Sequence, residues 1–190
     1  IDLTGLEVAN ASLLDEATAA AEAMAVCRRA SRNKSTTFFV AQNCHPQVIA
    51  VIQTRARWMG FEVVVGDPAA LDATSLGDAQ TAPYFGAYLQ SPDTLGVLHD
   101  HSGLIAALQA GGAKVCVGSD LMALMLIKSP GEMGADIAVG EGQPLGIPLS
   151  SGGPYFGFIC CKEKLVRQMP GRIIGRTVDL EGKEGFTLTL

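Results

Sequence analysis

Short apolar runs alternate with helix-forming stretches along most of this chain, and no other feature constrains its fold as much. Residues 38–41, 61–65, 87–90, 114–117, 136–139 and 155–161 are too short for stable helices, are rich in Val, Ile, Phe and Tyr, and read as buried strands. Between them lie helical signals. Ser12 is a candidate cap with Asp15 at capping-box distance, Glu16 places charge in the first turn, and an Ala-rich stretch continues to about residue 30. Arg28, Arg29 and Arg32 suit the C-terminal end of that helix. His45-Pro46 opens a second helix that runs to Met59 and stops at Gly60, and a third spans 102–110 before Gly111-Gly112. Short helices are predicted over 121–127 and 162–168, a weak polar connection or short helix over 72–85, and a hairpin around Gly182 within 176–190. Strands alternating with helices make βαβ units, so the predicted class is α/β, three-layer, with a mostly parallel sheet covered on both faces. The Gly/Pro-rich loop over 140–153 follows a strand, on the side where open α/β sheets bind ligands.

The 190 residues, 48% hydrophobic and 17% charged with a net charge of -5, predict one domain over 1–190 with a real core. That composition excludes a disordered chain. No apolar run is long enough for a membrane span. Five Cys, all in apolar settings and without a Cys-x-x-Cys, fit reduced core thiols in a cytoplasmic protein. Acids outnumber bases 19 to 14, which argues against nucleic acid. The chain starts at Ile1 without a signal pattern and stops inside the alternating run 185–190. Both ends therefore read as truncated, and the chain as part of a longer polypeptide.

The usual chemical motifs are missing or incomplete. Residues 140–146 come near a dinucleotide fingerprint, but the third Gly is one residue late and Pro144 and Pro148 prevent a helix from opening. There is neither a P-loop nor a Gly-x-Ser-x-Gly elbow. His99-Asp100-His101 lacks a third ligand and reads as a turn, so no metal is expected. Cys44 and His45 are adjacent, a poor geometry for a thiol–imidazole pair on extended backbone.

Longer motifs carry a resemblance. Residues 6–23, Pro130-Gly131-Glu132-Met133-Gly134-Ala135-Asp136-Ile137, Gly140-Glu141-Gly142-Gln143-Pro144-Leu145-Gly146-Ile147-Pro148, Gly152-Gly153-Pro154 and Met169-Pro170-Gly171-Arg172-Ile173-Ile174-Gly175 resemble, in order, the P-protein family of the glycine cleavage system. The wording of the 142–149 loop is most similar to subunit 1, the N-terminal-half type of the two-subunit bacterial enzyme. The resemblance implies the large domain of the type I pyridoxal-phosphate (PLP) transferases, a seven-stranded sheet with one antiparallel strand. It also implies a cytoplasmic, heterotetrameric oxidoreductase, glycine dehydrogenase (decarboxylating). In that family glycine forms an imine with PLP, CO2 leaves, and the aminomethyl group passes to the lipoyl arm of the H-protein.

The same resemblance places Gln143 where the Schiff-base Lys would stand, and Gln cannot form an imine. The phosphate cradle, at the N-terminus of the first helix, carries Asp15 and Glu16 instead of open backbone N–H groups. Asp120 falls near the partner of the pyridine nitrogen and His45 near the ring-stacking residue; each reads equally as a helix-start residue. The expectation is a chain without catalytic residues or PLP of its own. It would pair with a PLP-bearing subunit 2, with the loop over 140–153 as contact, glycine as substrate of the complex and the lipoylated H-protein as acceptor. The alternatives are a self-sufficient PLP enzyme of the aminotransferase or desulfurase type, and a non-catalytic scaffold homologue.

Overall fold

The computed structural model describes residues 1–71, 76 and 82–189. Most of the predicted 72–85 connection lies outside them. Seven strands form one sheet: β1 (Val8–Ala9), β2 (Thr37–Ala41), β3 (Glu62–Gly66), β4 (Gly86–Gln90), β5 (Lys114–Gly118), β6 (Ile137–Glu141) and β7 (Gly157–Cys161). Their order across the sheet is β1-β7-β6-β5-β4-β2-β3. Only β7 runs against the others, pairing antiparallel with β6 and β1. Strands β8 (Ile173–Val178) and β9 (Glu184–Thr189) form a separate hairpin, turned at Gly182 with φ 80°.

Three helices with bounds among the described residues cover the sheet: α1 (Glu16–Ala30), α2 (Pro46–Met59) and α3 (Ser102–Ala110). The unit β2-α2-β3 steps one way across the sheet and β4-α3-β5 steps the other, so right-handed crossovers put α2 and α3 on opposite faces. Helix α1 packs beside α2 and crosses β4 to β7. Its buried side is almost entirely small: Ala17, Ala19, Ala20, Ala21, Ala23, Ala25 and Cys27, with Met24 and Val26. Small side chains let helix and sheet approach closely, and Phe38, Tyr88, Ile137, Val139 and Ile159 fill the layer between the elements. On the other face of β6 and β7, Ala138, Phe158 and Cys160 pack against Leu6, Leu121 and Leu124.

The predicted strands 38–41 to 155–161 all form, and Gly60 ends α2 in the left-handed conformation, φ 72°. Three expectations are corrected. Helix α1 is capped by Asp15, not Ser12: Asn10 and Leu13 are held extended by bridges to Ile173 and Gly157, so the helix cannot begin before them. The capping box is completed by Thr18, whose N–H donates to Asp15 Oδ1 at 2.7 Å. The predicted helices 121–127 and 162–168 are 3-10 segments, Ala123–Met125 and Glu163–Gln168, a tighter winding common in short connectors. Strand β1 has no counterpart in the sequence reading. It is two residues long, and only pairing with Cys160 and Cys161 makes it extended. None of the helices among the described residues is long and apolar enough to cross a membrane.

Candidate functional site

Parallel strands gather their C-terminal ends along one edge of the sheet, and two adjoining cavities of about 300 and 320 Å³ open there. The first is lined by Asp15, Glu16, Gln47, Glu141, Gln143 and Tyr155 among others. The second is lined by His45, Gln90, Asp93, Ser119 and Asp120, and shares Glu16 and Glu141 with the first. The fold therefore brings His45, Asp120 and Gln143 to one edge, His45 and Asp120 into the same cavity.

Each lining side chain owes its place to a strand end. Gln90 closes β4, where its Oε1 accepts from the His45 N–H at 3.0 Å and its Nε2 donates to the Pro92 carbonyl at 3.1 Å. Asp120 follows β5 and its Oδ1 accepts from the Ala123 N–H at 2.8 Å, a cap for the following turn. Glu141 closes β6, and its Oε1 accepts from the N–H groups of Gly142, Gln143 and Phe156 at 3.1, 3.1 and 2.6 Å. That carboxylate pins the loop to β7. Gln143 folds back on its own turn, Nε2 donating to the Ile147 carbonyl.

Glu16 is different. It stands at the first position of α1, half-buried, and its carboxyl makes no hydrogen bond among the described residues. Burial, then Glu141, Asp120 and Asp15, push its pKa from 4.5 to about 7. The folded chain thus holds more protons than the unfolded chain between those two values. The stability tied to a protonated Glu16 is complete below 4.5 and is lost as pH rises through about 7. Glu16→Gln is expected to flatten that decline by about 2 kcal/mol, a value discounted for the water around a half-buried group. Urea unfolding of both chains at about pH 5 and about pH 8 measures it. A slope unchanged by the substitution would mean that Glu16 is fully solvated.

Cations are kept away from this edge. Lys114, Lys162 and Lys164 lie 4.0, 3.6 and 3.8 Å from Asp136 Oδ1, at the opposite end of the strands. Lys128 Nζ donates to Asp100 at 3.2 Å and to Ser102 at 2.7 Å. Every one of the 14 Lys and Arg residues lies among the described residues, and none lines either cavity. A phosphate at the start of α1 would meet the Asp15 and Glu16 carboxylates, and the Thr18 N–H is already taken by Asp15.

The other sequence candidates resolve as structure. His99 Nε2 lies 2.8 Å from Asp93 Oδ2, which also accepts from Asn43 Nδ2 at 3.1 Å. The His99 hydrogen bond, with the N–H groups of Val97 and Leu95, holds Asp93 well below the usual carboxylate range. His101 Nε2 is 3.1 Å from the Gln90 carbonyl, and burial lowers its pKa. Among the described residues no group of three or more His, Cys, Asp or Glu is arranged to hold a metal ion. All five cysteines are unpaired and buried, and burial pushes the Cys44 thiol up to about 12, far from a reactive thiolate. Sequence reasoning missed Glu141, Gln90 and Ser119 as cavity residues. The available signal was a polar residue at or just after the end of each apolar strand.

A family model described as glycine cleavage system P-protein matches residues 1–190. The chain is 54% identical over 189 residues to a glycine dehydrogenase (decarboxylating) of Jannaschia sp. (strain CCS1), covering 100% of this chain and 19% of that protein. It is 54% identical over 190 residues to one of Dechloromonas aromatica (strain RCB), with the same coverage of 100% and 19%. The chain thus spans about one fifth of the length of the curated relatives it matches. Among solved structures it superposes on a glycine decarboxylase (P-protein) of the glycine cleavage system in inhibitor-bound form, with a TM-score of 0.85 and 37% identity over 100% of this chain and 42% of the other. It also superposes on an apo methionine gamma lyase from Micromonospora echinospora, with a TM-score of 0.67 and 15% identity over 88% of this chain and 43% of the other. That second likeness is one of fold alone, the mostly parallel α/β sheet described above.

Proposed function

The chain belongs to the glycine cleavage system P-protein family, and from that membership we propose that it is part of a glycine dehydrogenase (decarboxylating) and forms a region that holds no PLP. The observation that carries this reading is the sign of charge at the cavity edge. Asp15, Glu16, Asp120 and Glu141 converge where an anionic phosphate would need donors, and no Lys amine reaches the cavities. The residues present do not fit the cofactor. Gln143, in the position of the Schiff-base lysine, contributes a loop hydrogen bond instead of a nucleophile. His45 precedes Pro46 at the start of α2, and Asp120 caps the turn after β5.

In this reading the chain serves the reaction by shape. Leu95, Leu98, Met122, Met125, Leu149 and Tyr155 stand exposed on loops that follow the strand ends. So large an apolar rim is poorly suited to water and suits a covering protein surface. The covering surface is the PLP-bearing half of the enzyme, as a subunit 2 or as another part of one long chain, and the loop over 140–153 contacts it. Glycine and the lipoylated H-protein would meet the assembled enzyme in a cytoplasmic setting.

Borohydride reduction of the full-length protein loaded with PLP, followed by peptide mass mapping, tests the assignment. The reduced PLP-lysine is expected outside residues 1–190. A PLP-lysine at any of the six lysines of this chain overturns it. Glycine-dependent CO2 exchange is expected only when the cofactor-bearing half is present.

A further inference from the structure

Two adjoining cavities carry half-buried and exposed carboxylates with no Lys or Arg of this chain among their lining residues, an arrangement that attracts a cation. Glu16 and Glu141 form their common wall, Asp15 borders one and Asp120 the other. A second feature points to a ligand in the same place. Ser119 is only 3% exposed, its Oγ has no hydrogen-bond partner, and it lines the cavity that holds Asp120 and His45. A buried hydroxyl without a partner is uncommon and is normally completed by a group from elsewhere.

The chemistry of the set limits that group. The carboxylates are not clustered as metal ligands. Glu141 Oε1 and Asp120 Oδ1 already accept backbone N–H groups, which leaves Glu16 and Ser119 Oγ the least satisfied. A cation with several spread donors fits this, and the exposed Leu149 and Tyr155 in the wall of the first cavity favour one delivered by a protein surface over a free small molecule. None of the chain's own 14 Lys and Arg lines either cavity.

We propose that a basic side chain, from a part of the enzyme outside this chain, inserts between Glu16 and Ser119 when the cavity edge is covered. This rests on the reading above that the edge is covered by the other half of the enzyme, and it deepens that reading by naming the contact. An Arg is the best match, since a planar guanidinium offers donors to a carboxylate and a hydroxyl at once. An Arg inserted there, paired with a carboxylate and closed off from water by the covering surface, has the character of an interface hot spot.

The test uses the full-length protein. Its experimental structure is expected to show a basic nitrogen within about 3 Å of the Glu16 carboxylate. Hydrogen exchange of Glu16→Lys is then expected to be at least about tenfold faster in the first turn of α1 and in the 140–153 loop than in the unaltered protein or in Glu16→Gln, since only the lysine repels the incoming cation. A covered edge presenting neutral or acidic groups, or exchange in Glu16→Lys that matches Glu16→Gln, overturns the proposal and leaves the cover intact. An edge open to solvent overturns both the proposal and the reading beneath it.

Discussion

Asp136→Ala is expected to lower the unfolding free energy by about 3 kcal/mol, the low end of the cost of stripping one partner from a buried charge network. Asp136 is 1% exposed and stands just before β6. Its Oδ2 accepts from the Val115 N–H at 3.1 Å and from Gln109 Nε2 at 2.9 Å, which ties the starts of β5 and β6 to the end of α3. Three lysines surround its other oxygen at 3.6 to 4.0 Å. Alanine leaves the Val115 N–H unpaired and three ammonium groups facing one another. The low end of the range applies because Lys164 is 61% exposed and can swing into water. Asp136→Asn keeps an acceptor for Val115 and is expected to lose about half as much. Urea midpoints at unchanged m report the difference. A loss under about 1 kcal/mol for Asp136→Ala would mean that water already replaces the lysines.

Gly157→Ala strikes the other edge of the sheet and is expected to cost a similar amount, about 3 kcal/mol, by a different route. A Cβ on Gly157 would lie 2.2 Å from the Asp15 carbonyl oxygen and 2.5 Å from its carbon, both main-chain atoms that cannot rotate away. Strand β7 must then retreat from the start of α1. The paired bonds between Gly157 and Leu13, 2.8 and 3.0 Å, stretch, and the Asp15–Thr18 cap is disturbed. Overpacking costs about 1–3 kcal/mol and a lost cap about 1. For a chain of this size that corresponds to a fall in Tm of about 6–12 °C. Gly185→Ala is the matched control: no atom lies within 4 Å of its added Cβ, and its Tm should move by no more than about 2 °C. Equal behaviour of the two variants would remove the close approach of β7 to Asp15 as a determinant of the fold.

Both substitutions involve features that local patterning does not reveal. Strands β2 and β4 to β7 are legible because a sheet buried on both faces needs unbroken apolar runs, β3 at the sheet's edge is legible through its Val63-Val64-Val65 run, and α2 because Pro46 and Gly60 have strong local preferences. Strand β1 is invisible, since two residues carry no period and take their conformation from Cys160 and Cys161. The start of α1 is misplaced for the same reason: Ser12 is an equally good cap in isolation, and the bridges at Asn10 and Leu13 decide for Asp15. Of the cavity residues, Asp120, His45 and Gln143 are singled out by family resemblance. Glu141 and Ser119 look like ordinary loop residues until the strand ends converge. The raised pKa of Glu16 is a property of the assembled edge, because burial, and then Glu141 and Asp120, act on it only in the folded chain.

The strand order also fixes when the molecule can finish folding during synthesis. The first strand pairs with the last strand of the sheet, and Asn10 Oδ1 accepts from the Ile159 N–H across 149 residues of chain. At about 5–20 residues per second, a ribosome takes on the order of 10–30 s to make the partner of a segment it has already released. Until then β1 has no strand to pair with, and the alanine-rich face of α1 lacks the part of its cover that β7 supplies. Nascent chains arrested shortly before residue 157 should therefore hold a chaperone, and chains arrested some tens of residues after it should release one.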